Sequence, residues 1–156
     1  VTALTDIRNR LEALIATITM PSGTFRDVAD SAPLRLDVPD GTYTFVVDWV
    51  SLQPTLDSGI EIITERQTWS ITVYAPPVSF VQELIEQADT NLDTIVDRLL
   101  DGLVNTYRLA LNSAELDKIE GVQITEVRKR TVRYPETDGD YRQQATLTMT
   151  IQYIRT

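Results

Sequence analysis

From Tyr141 the chain alternates without a miss. Tyr141, Gln143, Ala145, Leu147, Met149, Ile151 and Tyr153 fall on one face, and Arg142, Gln144, Thr146, Thr148, Thr150 and Gln152 on the other. Period two sustained over that length specifies a strand with one buried face. The natural partner is Val122 to Tyr134. The two are joined through Pro135-Glu136-Thr137-Asp138-Gly139-Asp140, a stretch of turn-forming residues. The last third of the chain is therefore expected to be a long β-ribbon.

The rest supplies the body on which such a ribbon sits. Leu4, Ile7, Leu11, Leu14, Ile15 and Ile18 recur at three and four, the stripe of an amphipathic helix, which Thr2 or Thr5 can cap and Pro21-Ser22-Gly23 stops. Residues 21–41 read as loop, with a short edge strand possible at Leu34 to Val38. Thr42 to Leu52 and Ile60 to Tyr74 read as two strands of an antiparallel hairpin, connected by Gln53 to Gly59. Tyr43, Phe45, Val47 and Trp49 share one face of the first; Ile63, Trp69, Ile71 and Val73 are in phase on the second. Both tryptophans are expected in the core. Pro77 suits a helix start, and apolar residues from Phe80 to Tyr107 make one long helix or two broken near Asp89 to Asn91, with Thr90 as the second cap. Asn112 with Glu115 suggests a further short turn ending at Gly121.

This order defines a single domain over residues 1–156. The fold class is α+β: an antiparallel or mixed β-sheet with helices packed on one face and a long C-terminal β-hairpin. The apolar share, 42%, suits a folded globule, and no apolar run reaches membrane-span length. The amino terminus lacks the basic-then-apolar plan of a secretory signal.

The chain has no cysteine and no histidine. Disulfides and thiolate chemistry are excluded, and the commonest general base and zinc ligand are missing. Glycines at 23, 41, 59, 102, 121 and 139 are too scattered for a phosphate-cradling loop. Asp89-x-Asn91-x-Asp93 resembles an EF-hand opening, but the sixth position is Thr94 and the twelfth Leu100, which removes both the turn and the bidentate ligand. Carboxylate pairs such as Asp37/Asp40 and Asp138/Asp140 sit beside Pro or Gly and read as turn residues. The expectation is a protein that is not an enzyme and uses no cofactor or metal.

Charge is unevenly spread. Residues 1–119 carry 18 acids against 8 bases, residues 120–156 carry 5 against 6, and the whole chain is −9. An acidic body argues against general nucleic-acid binding. Asp89, Asp93, Asp97 and Asp101 repeat at i,i+4, where like charges repel by a few tenths of a kcal/mol per pair, roughly. They form either an acidic stripe facing cations or a solvated helix face partly relieved by Arg98. Arg128, Lys129, Arg130 and Arg133 cluster on the first arm of the ribbon, either as a contact for an acidic partner or as protection of an exposed strand edge. These eight residues are the candidate assembly interface.

In element order and size the chain resembles the tail terminator proteins of long-tailed bacteriophages. The resemblance is carried by the Thr2-Ala3-Leu4-Thr5-Asp6-Ile7-Arg8 helix, the Gln67-Thr68-Trp69-Ser70-Ile71-Thr72-Val73-Tyr74 strand, the helix after Pro77 and the closing Tyr141 to Tyr153 strand; residues 21–41 do not contribute. It implies a structural virion protein of the neck, assembled in the host cytoplasm. Such a protein forms a hexameric ring on the head-proximal end of the tail tube, ends tube polymerisation and takes part in head–tail joining. The partners implied are other copies of the chain, the tail tube protein and a head connector or neck protein. DNA only passes through the lumen, and no membrane is involved. A head–tail connector or tail-completion protein is the neighbouring alternative. A small ligand-binding module or hydrolase is the alternative from another class, disfavoured by the apolar inward positions.

Overall fold

The computed structural model describes residues 3–33, 39–56, 63–79, 82–111, 119–134 and 140–155. In chain order the elements are α1 (Ala3–Thr17), β1 (Phe25–Ala29), β2 (Thr42–Leu56), β3 (Ile63–Tyr74), β4 (Val78–Ser79), α2 (Gln82–Leu111), β5 (Ile119–Arg133) and β6 (Asp140–Arg155). The fold is α+β. A mixed sheet runs β1-β2-β3-β6-β5, with the short β4 continuing the lane of β3 beside the start of β6. β1 is parallel to β2, and the other pairs are antiparallel.

The expected ribbon is present, and β6 is its buried arm and the centre of the sheet. It pairs with β3 on one side and β5 on the other, so its inward side chains are walled in laterally. Ala145, Leu147, Met149, Ile151 and Tyr153 lie in the core beside Trp69, Ile71 and Val73 of β3 and Tyr43, Phe45 and Val47 of β2. α1 closes that face with Ile7, Leu11, Leu14, Ile15 and Ile18, and α2 with Leu92, Ile95, Leu99 and Leu103. Removing a large aliphatic or aromatic side chain from water stabilises by about 1.5–3 kcal/mol, so this one layer contact carries the fold. Carbonyls at and just beyond the end of α1 are met by arginines from elsewhere. Arg26 of β1 donates to Ala16 and Ile18, and Arg98 of α2 donates to Thr19.

Within the core one polar chain is fully satisfied. Trp69 Nε1 donates to Gln67 Oε1 at 2.8 Å, and Gln67 Nε2 donates to Glu65 Oε1 at 3.0 Å, all three side chains being buried. The Gln67 amide suits this place because its Oε1 accepts from one neighbour while its Nε2 donates to the other.

Several expectations are corrected. The stretch 21–41 contains β1, whose short and uneven burial hides it from periodicity; Leu34 to Val38 lies outside the described residues. β2 runs on through Pro54, which pairs with Glu65. Proline is tolerated there because β1 flanks β2 only as far as Val46, so the missing N–H faces an edge with no paired strand among the described residues. Pro77 precedes β4, not a helix, and α2 begins at Gln82. α2 is one helix: Thr90 lies inside it and accepts at its carbonyl from Thr94 Oγ1. Thr5 is likewise inside α1. Gly121 belongs to β5, at a register shift, and does not end a helix; the proposed turn at 112–118 lies outside the described residues. Trp49 stands opposite Trp69 in register yet is 44% exposed, because a bulge after it lets β2 leave the helix layer.

Candidate assembly surface

The eight candidate residues lie on α2 and β5, and the structure sorts them into two groups. Along an α-helix, steps of four residues advance by roughly 40° each, so a ladder of four winds around the axis by about a third of a turn. Only its first members meet the ribbon. Lys129 Nζ donates to Asp93 Oδ1 at 2.8 Å and also contacts Asp89. Burial alone would lower the Lys129 pKa. Hydrogen bonds and attraction from both carboxylates outweigh it, and the pKa is raised above its ordinary value. Asp97 and Asp101 are exposed. Arg98 does not relieve the ladder, since its guanidinium donates instead to the Thr19 carbonyl just beyond α1.

A bulge in β5 decides where the basic residues go. Val122 and Ile124 pack toward the core, opposite Ile151 and Met149. A register shift between Ile124 and Glu126 then reverses the alternation, so that Val127, Lys129 and Thr131 take the helix side. Lys129 therefore ties β5 to α2 within one chain, and Thr131 Oγ1 bonds Gln143 Oε1 at 2.9 Å. Arg128 and Arg130 project to the opposite, polar face. There they border a shallow groove of about 240 Å³ with Glu126, Gln144, Thr146 and Thr148. Arg128 Nη2 stands 2.9 Å from Glu126 Oε1 and is still 72% exposed. Arg133 is exposed at the end of β5, opposite Tyr141. The cluster that is contiguous in sequence is thus split between two faces of the sheet.

Other features had no clear sequence signal. Arg142 lies against two rings, 4.6 Å from the Tyr74 centroid and 5.1 Å from that of Tyr134, and donates to the Pro33 carbonyl at 3.1 Å. It fastens the segment after β1 across the polar face. Its place on the polar face of the alternating run was legible; its partners, distant in sequence, were not. Phe25 and Val28 are exposed on β1, in a stretch without periodicity.

A cleft of about 450 Å³ opens where β2, β4 and the start of α2 meet, lined in part by Asp40, Tyr43, Leu84, Asn91 and Asp140. Tyr43 forms its floor and donates to the Ala88 carbonyl at 3.1 Å. Burial pushes its phenol up to about 12, with a hydrogen bond from Asn91 acting the other way and the Asp89 charge adding to the rise. No basic side chain lines this cleft among the described residues. Among the described residues, too, no group of three or more acidic side chains is placed to hold a metal ion. Nor is any helix there long and apolar enough to cross a membrane.

No protein-family model matches the chain, and no curated protein matches it.

Proposed function

We propose that this chain is a structural, non-catalytic subunit of a bacteriophage neck: a tail terminator that assembles as a ring, caps the tail tube and docks to the head connector. The observation that carries the reading is the state of β5. Its long outer edge has no neighbouring strand among the described residues, and Arg128 and Arg130 stand exposed along it. Lys129 anchors the same strand to α2, so these cations are held on a rigid support rather than a loose hairpin. An acidic body with a basic edge suits repeated contact between identical subunits. The exposed Asp97 and Asp101 suit a passage that must not retain DNA, because like charge repels phosphate.

Replacing Arg128→Glu together with Arg130→Glu tests this. Both side chains are exposed, so the variant keeps its circular dichroism spectrum and melting temperature. It should lose ring assembly and fail to cap tail tubes. Normal tail capping by the double variant would count against the proposal.

The cleft at Tyr43 favours a second reading, a small ligand-binding module. Any ligand that prefers the folded state raises the melting temperature. A thermal-shift screen with metal ions and common metabolites supports that reading if one compound stabilises the protein and Leu84→Arg abolishes the effect. It removes the reading if no compound does.

A further inference from the structure

The sheet ends in two free edges of opposite character. At one end β5 carries Arg128 and Arg130 on the polar face and Val127, 43% exposed, on the helix face. At the other end β1 carries Asp27 and the 63% exposed Phe25 on the polar face. Val28, 38% exposed, takes the helix face of β1, as Phe45 opposite it does on β2. Among the described residues no strand flanks β1 on its outer side or β5 on its outer side. β1 runs parallel to β2 and to β6, while β5 runs against them. If a second copy continues the sheet with the same face toward its helices, β5 of one copy therefore meets β1 of the next in the antiparallel sense.

We infer that copies of this chain join edge to edge by pairing β5 with β1 of the neighbour, in the register that sets Val127 opposite Val28 and Arg128 opposite Asp27. One register satisfies both faces at once. In an antiparallel pair, directly opposed residues point to the same face. This register joins apolar to apolar on the helix side and cation to anion on the polar side. It also lays Arg130 over Phe25, a cation–π pairing. Of the two remaining opposed pairs, Glu126 and Ala29 carry no charge conflict; Lys129 and Arg26 are of like charge, but within its own subunit Lys129 is paired with Asp89 and Asp93, and the Arg26 guanidinium is turned toward the Ala16 and Ile18 carbonyls. The free part of β2 is a poorer acceptor. Its bulge follows Trp49, and Arg8 Nη2 reaches Asp48 Oδ1 there at 3.4 Å. The contact is heterologous, so it closes a ring or extends without limit rather than stopping at a dimer.

The pairing rests on the ring reading above and deepens it, and its test separates the two. The chain has no cysteine of its own. Opposed residues of an antiparallel pair lie about 4.5–5.5 Å apart at Cα, within disulfide range. Val28→Cys combined with Val127→Cys should form, under mild oxidation, a reducible ladder of linked chains. The off-register combination Val28→Cys with Thr131→Cys should not. Asp27→Arg alone, or Arg128→Asp alone, should weaken self-association about tenfold, and the two together in one chain should restore it. Failure to cross-link above the off-register control, or failure of the charge swap to restore association, overturns the pairing. Rings that form without the Val28–Val127 linkage defeat the pairing and leave the tail-capping reading standing. Linked rings that ignore tail tubes keep the pairing and defeat that reading.

Discussion

Lys129 on β5 and Asp93 on α2 are 36 residues apart in sequence and 2.8 Å apart in space. With Asp89 completing the contact, this is the pin that holds the outer strand of the ribbon against the helix layer.

Lys129→Met should therefore loosen β5 without disturbing the core. The Lys129 side chain is 37% exposed, so solvent screening limits the loss to about 0.5–1 kcal/mol. The Lys129 pKa is raised in the folded state. Its contribution is thus complete below its ordinary value of 10.5 and fades as pH rises through the higher folded value. Urea denaturation at neutral and strongly alkaline pH should show a gap between wild type and variant that closes only at the alkaline end.

Gln67→Leu fits the volume but not the chemistry. Trp69 Nε1 loses its acceptor and Glu65 loses one of its donors, both in a buried site. A loss of about 1–3 kcal/mol is expected from the desolvated groups, read as a fall in the urea midpoint with an unchanged slope. A neutral result would mean that the Glu65–Gln67–Trp69 chain is not needed.

Tyr43 should ionise near 12, well above the ordinary 10.0. The unfolded chain loses this proton first, so stability falls with rising pH between those values, by on the order of 2 kcal/mol in full. Tyr43→Phe removes that alkaline loss together with one hydrogen bond to Ala88. The part of the phenolate absorbance that Tyr43→Phe removes, recorded through the alkaline range, checks the first claim. Denaturation curves over the same range check the second.

Gly41 and Gly23 both have positive φ, +74° and +77°, but they should respond unequally to alanine. A Cβ at Gly41 would lie 2.9 Å from the Gly23 carbonyl oxygen, whereas one at Gly23 meets nothing within 4 Å. Both substitutions incur the left-handed backbone penalty of about 1–2 kcal/mol. Gly41→Ala should cost more by the clash as well, and matched melting curves of the two variants would show the difference.

The parts legible in the sequence were those where one physical rule acted alone. β6 alternates because a continuous layer covers one of its faces, and α1 shows its stripe because one side of it is buried. β1 escaped detection because the outward Phe25 breaks any apolar pattern, and a five-residue edge strand offers little else to read. Pro54 reads as a strand end because its tolerance depends on β2 having no further partner strand there among the described residues, a tertiary fact. Trp49 looked like core because periodicity cannot see the bulge that follows it. The basic cluster was recognised, but its division between two faces depends on the bulge near Thr125, which no composition rule marks. Lys129 and the Asp89/Asp93 pair were legible as opposite charges, and only the fold shows that they meet inside one chain.

The most direct measurement is native mass by light scattering across a wide protein concentration range, with negative-stain images of the same samples. A closed ring near six times 17.6 kDa is expected in the wild type and not in Arg128→Glu/Arg130→Glu. A monomer at every concentration, or a dimer that saturates and grows no further, would contradict head-to-tail assembly.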